Sequence, residues 1–362
     1  MADARGQRVA ALRAVIAAAH LDGLLIASLP NIRYLTGFTG SNALFFLSES
    51  DALLLTDFRY QTQVSDEVGD FARVKIESSS LWAGLWSALP GVARVEIAGF
   101  ESSHLLHRDF ERLLDQGRRW RWRPTIDLVE GLRERKDEIE LAAIRQASEI
   151  GAAALTRTLH GVRVGMTELD VCGLLEQSLR CCGSEAHPFP PIVASGPRSA
   201  LPHARASTRA IALGDFLLLD FGATFRGYCS DITRTVVLGR SSERQREVYA
   251  AVLLANERAR LGVRAEMRGC DADALARTVL EGAGLGEAFG HSLGHGIGLE
   301  VHEAPRLSRV AETMLPSGAV VTIEPGAYVP DWGGVRIEDD IVLREGEAEL
   351  LTHIPRELIE LS

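Results

Sequence analysis

The period of the apolar positions changes several times along the chain, and each change marks an element. Leu12, Val15, Ile16 and Ala19 recur at helical spacing and predict an amphipathic helix. Short apolar runs follow. GLLIAS, then ALFFL and ALLLT after a turn at Pro30–Asn31, and later FARVKI and ARVEIAG, read as strands. Helical stretches are expected near Leu81–Leu89 and His104–Leu114, and Trp120 and Trp122 alternate with Arg in a last, half-buried strand. This alternation predicts a small α/β domain over residues 1–130.

A second domain is expected over 131–362. The charged stretch Glu130 to Glu140 reads as the start of a long helix, continued by Ile139, Ala142, Ala143, Ile144 and Ala147. Thr167, with Glu168 and Asp170 behind it, makes an N-terminus for the next helix. IVASG and two further strands follow, then helices from about Ser242 to Arg260 and Asp271 to Leu280. AVVTIEPG and VRIEDDIVL close the chain as strands. Helices flanking antiparallel strands give an α+β fold.

Composition narrows the class. The 362 residues are 46% hydrophobic and 24% charged, an ordinary globular balance that suits two domains. The net charge of −10, with both signs interspersed and no basic block, speaks against a nucleic-acid surface. No run of about 18 uncharged apolar residues is present, so no membrane span is expected. Five Cys without paired spacing favour a reducing compartment, and a cytoplasmic location is the expectation.

The candidate chemistry lies in carboxylates placed on apolar strands. In LLLDFGATFRGYCSDITRTVVL, Asp220 ends one strand and Asp231 lies in the next, read as Tyr228 to Leu238. A turn centred on Phe225–Arg226 would set the two side chains opposite each other on one face. Like charges there destabilise unless a proton or a divalent cation lies between them. Glu324 ends the strand before Pro325–Gly326, and Glu338 sits inside an apolar strand. Such carboxylates must be paired, hydrogen-bonded or metal-bound. His291, His295 and His302 fall among glycines in GHSLGHGIGLEVHE, and His203 lies in LPHARA. Oxygen-rich ligation with one imidazole and no thiolate suits two adjacent Mn²⁺, Co²⁺ or Zn²⁺ ions, able to hold a bridging hydroxide and polarise a carbonyl.

These segments resemble those of the "pita-bread" metallopeptidase family, which includes methionine aminopeptidase, aminopeptidase P, prolidase and creatinase. LLLDFG, YCSDITRT, GHSLGHGIG, VTIEPG and VRIEDD are similar to the family's metal-binding segments. NIRYLTGFTGSNA and TDFRY resemble the N-terminal domain of its Xaa-Pro peptidases. The resemblance implies a C-terminal pita-bread domain preceded by a smaller creatinase N-terminal-like α/β domain. It implies two divalent ions, Mn²⁺ before Co²⁺ or Zn²⁺, held by Asp220, Asp231, His295, Glu324 and Glu338. Glu324 would also shuttle the proton, His203 and His302 would contact the scissile peptide, and His291, Tyr328 and Arg336 would line the substrate site. The implied activity is hydrolysis of the Xaa–Pro bond at the N-terminus of short peptides by a homodimer. An Xaa-Pro dipeptidase is the alternative, and a catalytically dead peptide-binding module a remoter one. His187–Pro188 departs from the family's pattern at the pocket rim.

Overall fold

The computed structural model describes residues 4–92 and 94–362, so residues 1–3 of the expected first domain and Ala93 of the ARVEIAG run lie outside it. The chain divides into two compact units, one up to Arg133 and one from Glu134 to Ser362. Each is described by itself.

The first unit is built on a six-stranded mixed sheet. Its strands are β1 (Gly23–Ile26), β2 (Ala43–Ser48), β3 (Ala52–Asp57), β4 (Arg73–Glu77), β5 (Ile97–Glu101) and β6 (Arg121–Thr125). Their order is β4-β3-β2-β1-β5-β6, with β2 antiparallel to both neighbours and the other pairs parallel. β1 and β2 are buried along their whole length, as their unbroken apolar runs require. Helices α1 (Ala4–Ala18), α2 (Leu29–Thr36), α3 (Gln61–Glu67), α4 (Leu81–Ala88), α5 (His107–Gln116) and α6 (Glu130–Arg133) complete the unit. Pro30–Asn31 is not a turn. Pro30 stands in the first turn of α2, where its missing N–H costs nothing.

The second unit opens with α7 (Glu138–Gly161) and α8 (Glu168–Cys181). The charged stretch does not run straight into the long helix. It forms the short α6 and then a break, because Asp137 caps α7 by accepting from the backbone of Ile139 and Glu140. Thr167 caps α8 in the same way with Asp170. A four-stranded sheet has the order β19-β11-β8-β7, from β7 (Ile192–Ser195), β8 (Phe216–Phe221), β11 (Ile232–Leu238) and β19 (Glu360–Leu361). The small ladder of β9 (Thr224–Phe225) and β10 (Tyr228–Cys229) caps its central hairpin. Leu217, Leu219, Phe221 and Ile232 pack against Leu155, Leu175 and Leu179 of α7 and α8.

Beyond α9 (Glu243–Gly262) and α10 (Gly269–Gly282) comes a five-stranded sheet. Its order is β13-β12-β14-β17-β18, from β12 (Gly294–Gly296), β13 (Glu303–Leu307), β14 (Val320–Ile323), β17 (Asp339–Val342) and β18 (Glu349–Leu350). β15 (Gly326–Val329) and β16 (Gly333–Arg336) form a separate antiparallel ladder. Val252, Ala255, Ala276 and Leu280 of α9 and α10 pack on Val321, Ile323, Val335 and Ile341 of these strands. Helices thus cover both sheets, and the unit is α+β.

Candidate active site

Three acidic residues sit where strands break. Asp231 lies between β10 and β11, Glu324 between β14 and β15, and Glu338 between β16 and β17. Glu338 is therefore not inside a strand. A residue released from the ladder can be aimed without regard to the in-and-out alternation. His295 stands within β12, where the register with β13 shifts between His295 and Gly296. The flanking glycines have a steric reason. A Cβ on Gly294 would lie 1.9 Å from the Thr322 carbonyl oxygen, and one on Gly296 would lie 2.0 Å from that of Ala304.

The hairpin carrying the two aspartates is paired two residues away from the expected register. Arg226 and Gly227 both have positive φ, 49° and 73°, so the turn is centred on them. Glu185 accepts from both of their backbone N–H groups, at 2.8 and 3.0 Å. Asp220 consequently faces Thr233, not Asp231. Asp231 stands just outside this ladder, two positions before Thr233, and its carboxyl remains close enough to that of Asp220 for the two to repel.

Asp231, His295 and Glu338 each place one ligand atom within 4.8 Å of the others. His295 Nε2 lies 3.4 Å from Glu324 Oε1 and 3.8 Å from Asp231 Oδ2. Its Nδ1 donates to the Gly296 carbonyl at 3.1 Å, which turns the Nε2 lone pair toward those carboxylates. Thr322 orients two members at once: its Oγ1 accepts from the His295 backbone N–H and donates to Glu324. Asp220 Oδ1 and Asp231 Oδ1 are buried and have no hydrogen-bond partner among the described residues.

Burial and mutual repulsion dominate the electrostatics. Burial first, then Glu338 and Asp220, push the Asp231 carboxyl well above its usual range. Glu338 is raised by burial and by Glu324. Burial raises Asp220 in spite of Arg336, and pushes Glu324 up to about 8. Burial and the neighbouring His302 lower His295 to about 4, so its ring is neutral near pH 7. Four crowded carboxyls, two orphaned oxygens and an imidazole lone pair aimed at acceptors form a donor set suited to cations. It fits divalent ions of the oxygen- and imidazole-binding kind.

The expected substrate-site residues form one hydrogen-bonded chain. His291 Nε2 meets the Tyr328 hydroxyl at 2.9 Å, and Arg336 donates to the same hydroxyl at 2.6 Å. Arg336 also donates to Asp220 Oδ2 and to Thr233 Oγ1, and Thr233 donates to Glu338 Oε2 at 2.6 Å. Arg336 thus gives hydrogen bonds to Asp220, Thr233 and Tyr328 and reaches Glu338 only through Thr233 and by charge. His291 packs edge-on against Phe289, with ring centroids 5.1 Å apart. The exposed His302 ring lies 4.4 Å from that of His295. His203 is exposed, and its ring lies within electrostatic reach of Asp220, His291 and His302. His187 is half-buried, and its Nδ1 has no hydrogen-bond partner among the described residues.

Residues 142–345 match metallopeptidase family M24, and residues 8–135 match the creatinase/prolidase N-terminal domain. This chain belongs to metallopeptidase family M24. The M24 metallopeptidase is 36% identical to an Xaa-Pro dipeptidase of Pyrococcus horikoshii, over 94% of this chain and 95% of that one. Among solved structures, an Xaa-Pro dipeptidase from Bacillus anthracis superposes with TM-score 0.94 at 39% identity, covering 99% of this chain and 100% of that one. An X-Pro aminopeptidase from Thermotoga maritima gives 0.90 at 38% identity, over 97% and 99%. The second unit of the M24 metallopeptidase is the pita-bread domain, and the first is the creatinase-like domain.

Sequence reasoning passed over several residues that shape this M24 site. Arg234 is buried and donates to the carbonyls of Thr233, Glu338, Ile354 and Pro355 and to Asp339 Oδ1. Asp340 Oδ2 accepts from the Asp231 backbone N–H at 3.0 Å. The available signal was the run of Thr and Arg in a strand buried at every position, where each polar side chain must find a partner.

Proposed function

We propose that this metallopeptidase hydrolyses the Xaa–Pro bond at the N-terminus of short peptides. The supporting observation is the cluster of Asp231, His295, Glu324 and Glu338, with the Asp220 and Asp231 oxygens left unpartnered. These four residues and Asp220 would hold two divalent ions, Mn²⁺ before Co²⁺ or Zn²⁺. When bound, such ions acidify water and polarise a peptide carbonyl.

The side chains supply the remaining functions. Glu324 takes a proton from the attacking water and returns it to the departing nitrogen. That nitrogen belongs to proline, a tertiary amide with no N–H of its own. His203 and His302, both exposed, donate to the peptide carbonyl as negative charge develops on its oxygen. His291, held by Tyr328 and backed by Phe289, offers a flat wall to the pyrrolidine ring. Arg336 holds Asp220 and Tyr328 in place. The active form is a homodimer, the commonest soluble association.

A stricter reading, cleavage of Xaa-Pro dipeptides alone, is favoured by the names of the Pyrococcus and Bacillus relatives. A panel of Xaa-Pro and Xaa-Pro-Xaa peptides, with and without added Mn²⁺, separates the two. Turnover of both lengths supports the aminopeptidase, turnover of dipeptides alone supports the dipeptidase, and turnover of neither removes both.

A further inference from the structure

His203 is presented by a segment with little structure of its own. Leu201–Ala206 forms neither helix nor strand, and His203 projects from it to solvent. The chain on either side is tied to one carboxylate. Glu168, the first residue of α8, is completely buried. Its Oε1 accepts from the Ser195 backbone N–H at 2.8 Å and from the Ser195 hydroxyl at 2.9 Å. Its Oε2 accepts from the Ser207 backbone N–H at 3.0 Å and from the Ser207 hydroxyl at 2.7 Å. Arg198 donates to both oxygens and, with its other arm, to the Arg205 carbonyl at 2.6 Å. The same carboxylate thus holds the strand that leads into the segment, the 3₁₀ turn Gly196–Ala200 and the chain that leaves it. On the site side, Arg336 donates to the Pro202 carbonyl at 3.3 Å, beside His203.

A capping role for α8 does not explain this arrangement. Thr167 already caps the helix and Asp170 completes the capping box, so the Glu168 side chain is free for another duty. A buried carboxylate is costly unless its acceptor positions are filled, and here all the donors come from the segment flanking His203.

We propose that Glu168 is a positioning residue for the peptidase reaction: it closes residues 195–207 into a fixed loop and so sets where His203 meets the substrate. The proposal rests on the reading of His203 given under the proposed function. Glu168→Gln keeps the shape but replaces one acceptor oxygen with an NH₂ that faces donors. His203→Ala is expected to lower kcat/KM on Xaa-Pro peptides by about 10²- to 10³-fold, the effect of losing one oxyanion donor. Glu168→Gln displaces His203 without removing it, and a misplacement of about 1 Å costs up to 10²-fold, so a loss of about 10- to 10²-fold is expected.

The test is a double-mutant cycle together with amide hydrogen exchange and metal content. Glu168→Gln is expected to keep its metal, to speed exchange across 196–209 and not across β8 and β11, and to add less than about twofold to the loss already caused by His203→Ala. Ser207→Ala, which removes one donor and leaves the carboxylate in place, is expected to show the same pattern at about threefold and serves if Glu168→Gln does not fold. Equal loss from Glu168→Gln with and without His203, unchanged exchange in 196–209, or loss of metal would overturn the proposal. If His203→Ala cleaves normally while exchange in 196–209 still rises in Glu168→Gln, the anchoring is supported and the assigned role of His203 is what fails.

Discussion

Stripping the metal from the protein is expected to make its stability fall as pH rises from 5 to 8. In the folded chain Glu324 is displaced from 4.5 to about 8, with burial as the largest cause. The unfolded chain titrates near 4.5. Below that pH both states carry the proton and Glu324 contributes no pH dependence. Between 4.5 and 8 the unfolded carboxyl is ionised while the folded one stays protonated, so the unfolded state gains about 1.36 kcal/mol per pH unit. By pH 8 the loss is on the order of 5 kcal/mol from Glu324, and Asp220, Asp231 and Glu338 are displaced in the same direction. At about 2–4 °C per kcal/mol for a unit of this size, Tm of the chelated protein drops by about 10 °C or more. Bound divalent ions select the ionised carboxylates, so the metal-loaded protein loses this slope and the gap between the two forms widens with pH. Thermal melts by circular dichroism on chelated and reloaded samples read the effect, and Glu324→Gln supplies the control by removing one titration. A chelated Tm that is flat or rising across this range, or an unaltered slope in Glu324→Gln, refutes the reasoning.

Asp231→Asn takes a charge from the centre of the cluster, and elemental analysis of the purified variant is expected to show sub-stoichiometric metal with activity lost; wild-type values on both counts would remove Asp231 from the site. Gly294→Ala pushes a methyl against the Thr322 carbonyl, 1.9 Å from the ideal Cβ position. Strain of that kind costs about 1–3 kcal/mol or more, so Tm falls by several degrees and metal affinity drops as His295 shifts. Light scattering is expected to report the mass of two chains at working concentration, and a monomer with full activity would exclude the homodimer.

The second unit's helices were legible because their caps are written locally: Thr167 with Asp170, and Ser242 with Gln245, mark starts that the chain uses. The four carboxylates stood out because a charged group in an apolar run needs a partner, but it was the resemblance to the metallopeptidase family that joined them with His295 into one set. What the sequence did not disclose is register. Whether the hairpin turns on Phe225–Arg226 or on Arg226–Gly227 depends on two positive φ angles, and that choice decides whether Asp220 faces Asp231 or Thr233. Nor did it show the strand break at Glu338, since GVRIEDDIV reads as one apolar run, whereas Pro325–Gly326 marks the break at Glu324. The partners of Arg234 and Glu168 were out of reach for a simpler reason: apart from the adjacent Thr233 carbonyl, they lie 27 to 121 positions away in sequence.

Arg234 also carries a consequence for how the enzyme is made. Its guanidinium binds carbonyls at Ile354 and Pro355, 120 and 121 positions downstream, and β11 takes β19 as its outer neighbour in parallel at Val237–Glu360. A ribosome adding about 5–20 residues per second therefore leaves the aspartate hairpin without its last supports for roughly 6–24 s. Glu324 and Glu338 also emerge late in that interval. A growing chain thus holds the acidic hairpin in the cell before it holds a peptidase, and hydrolytic power arrives only when the far end of the fold closes over Arg234.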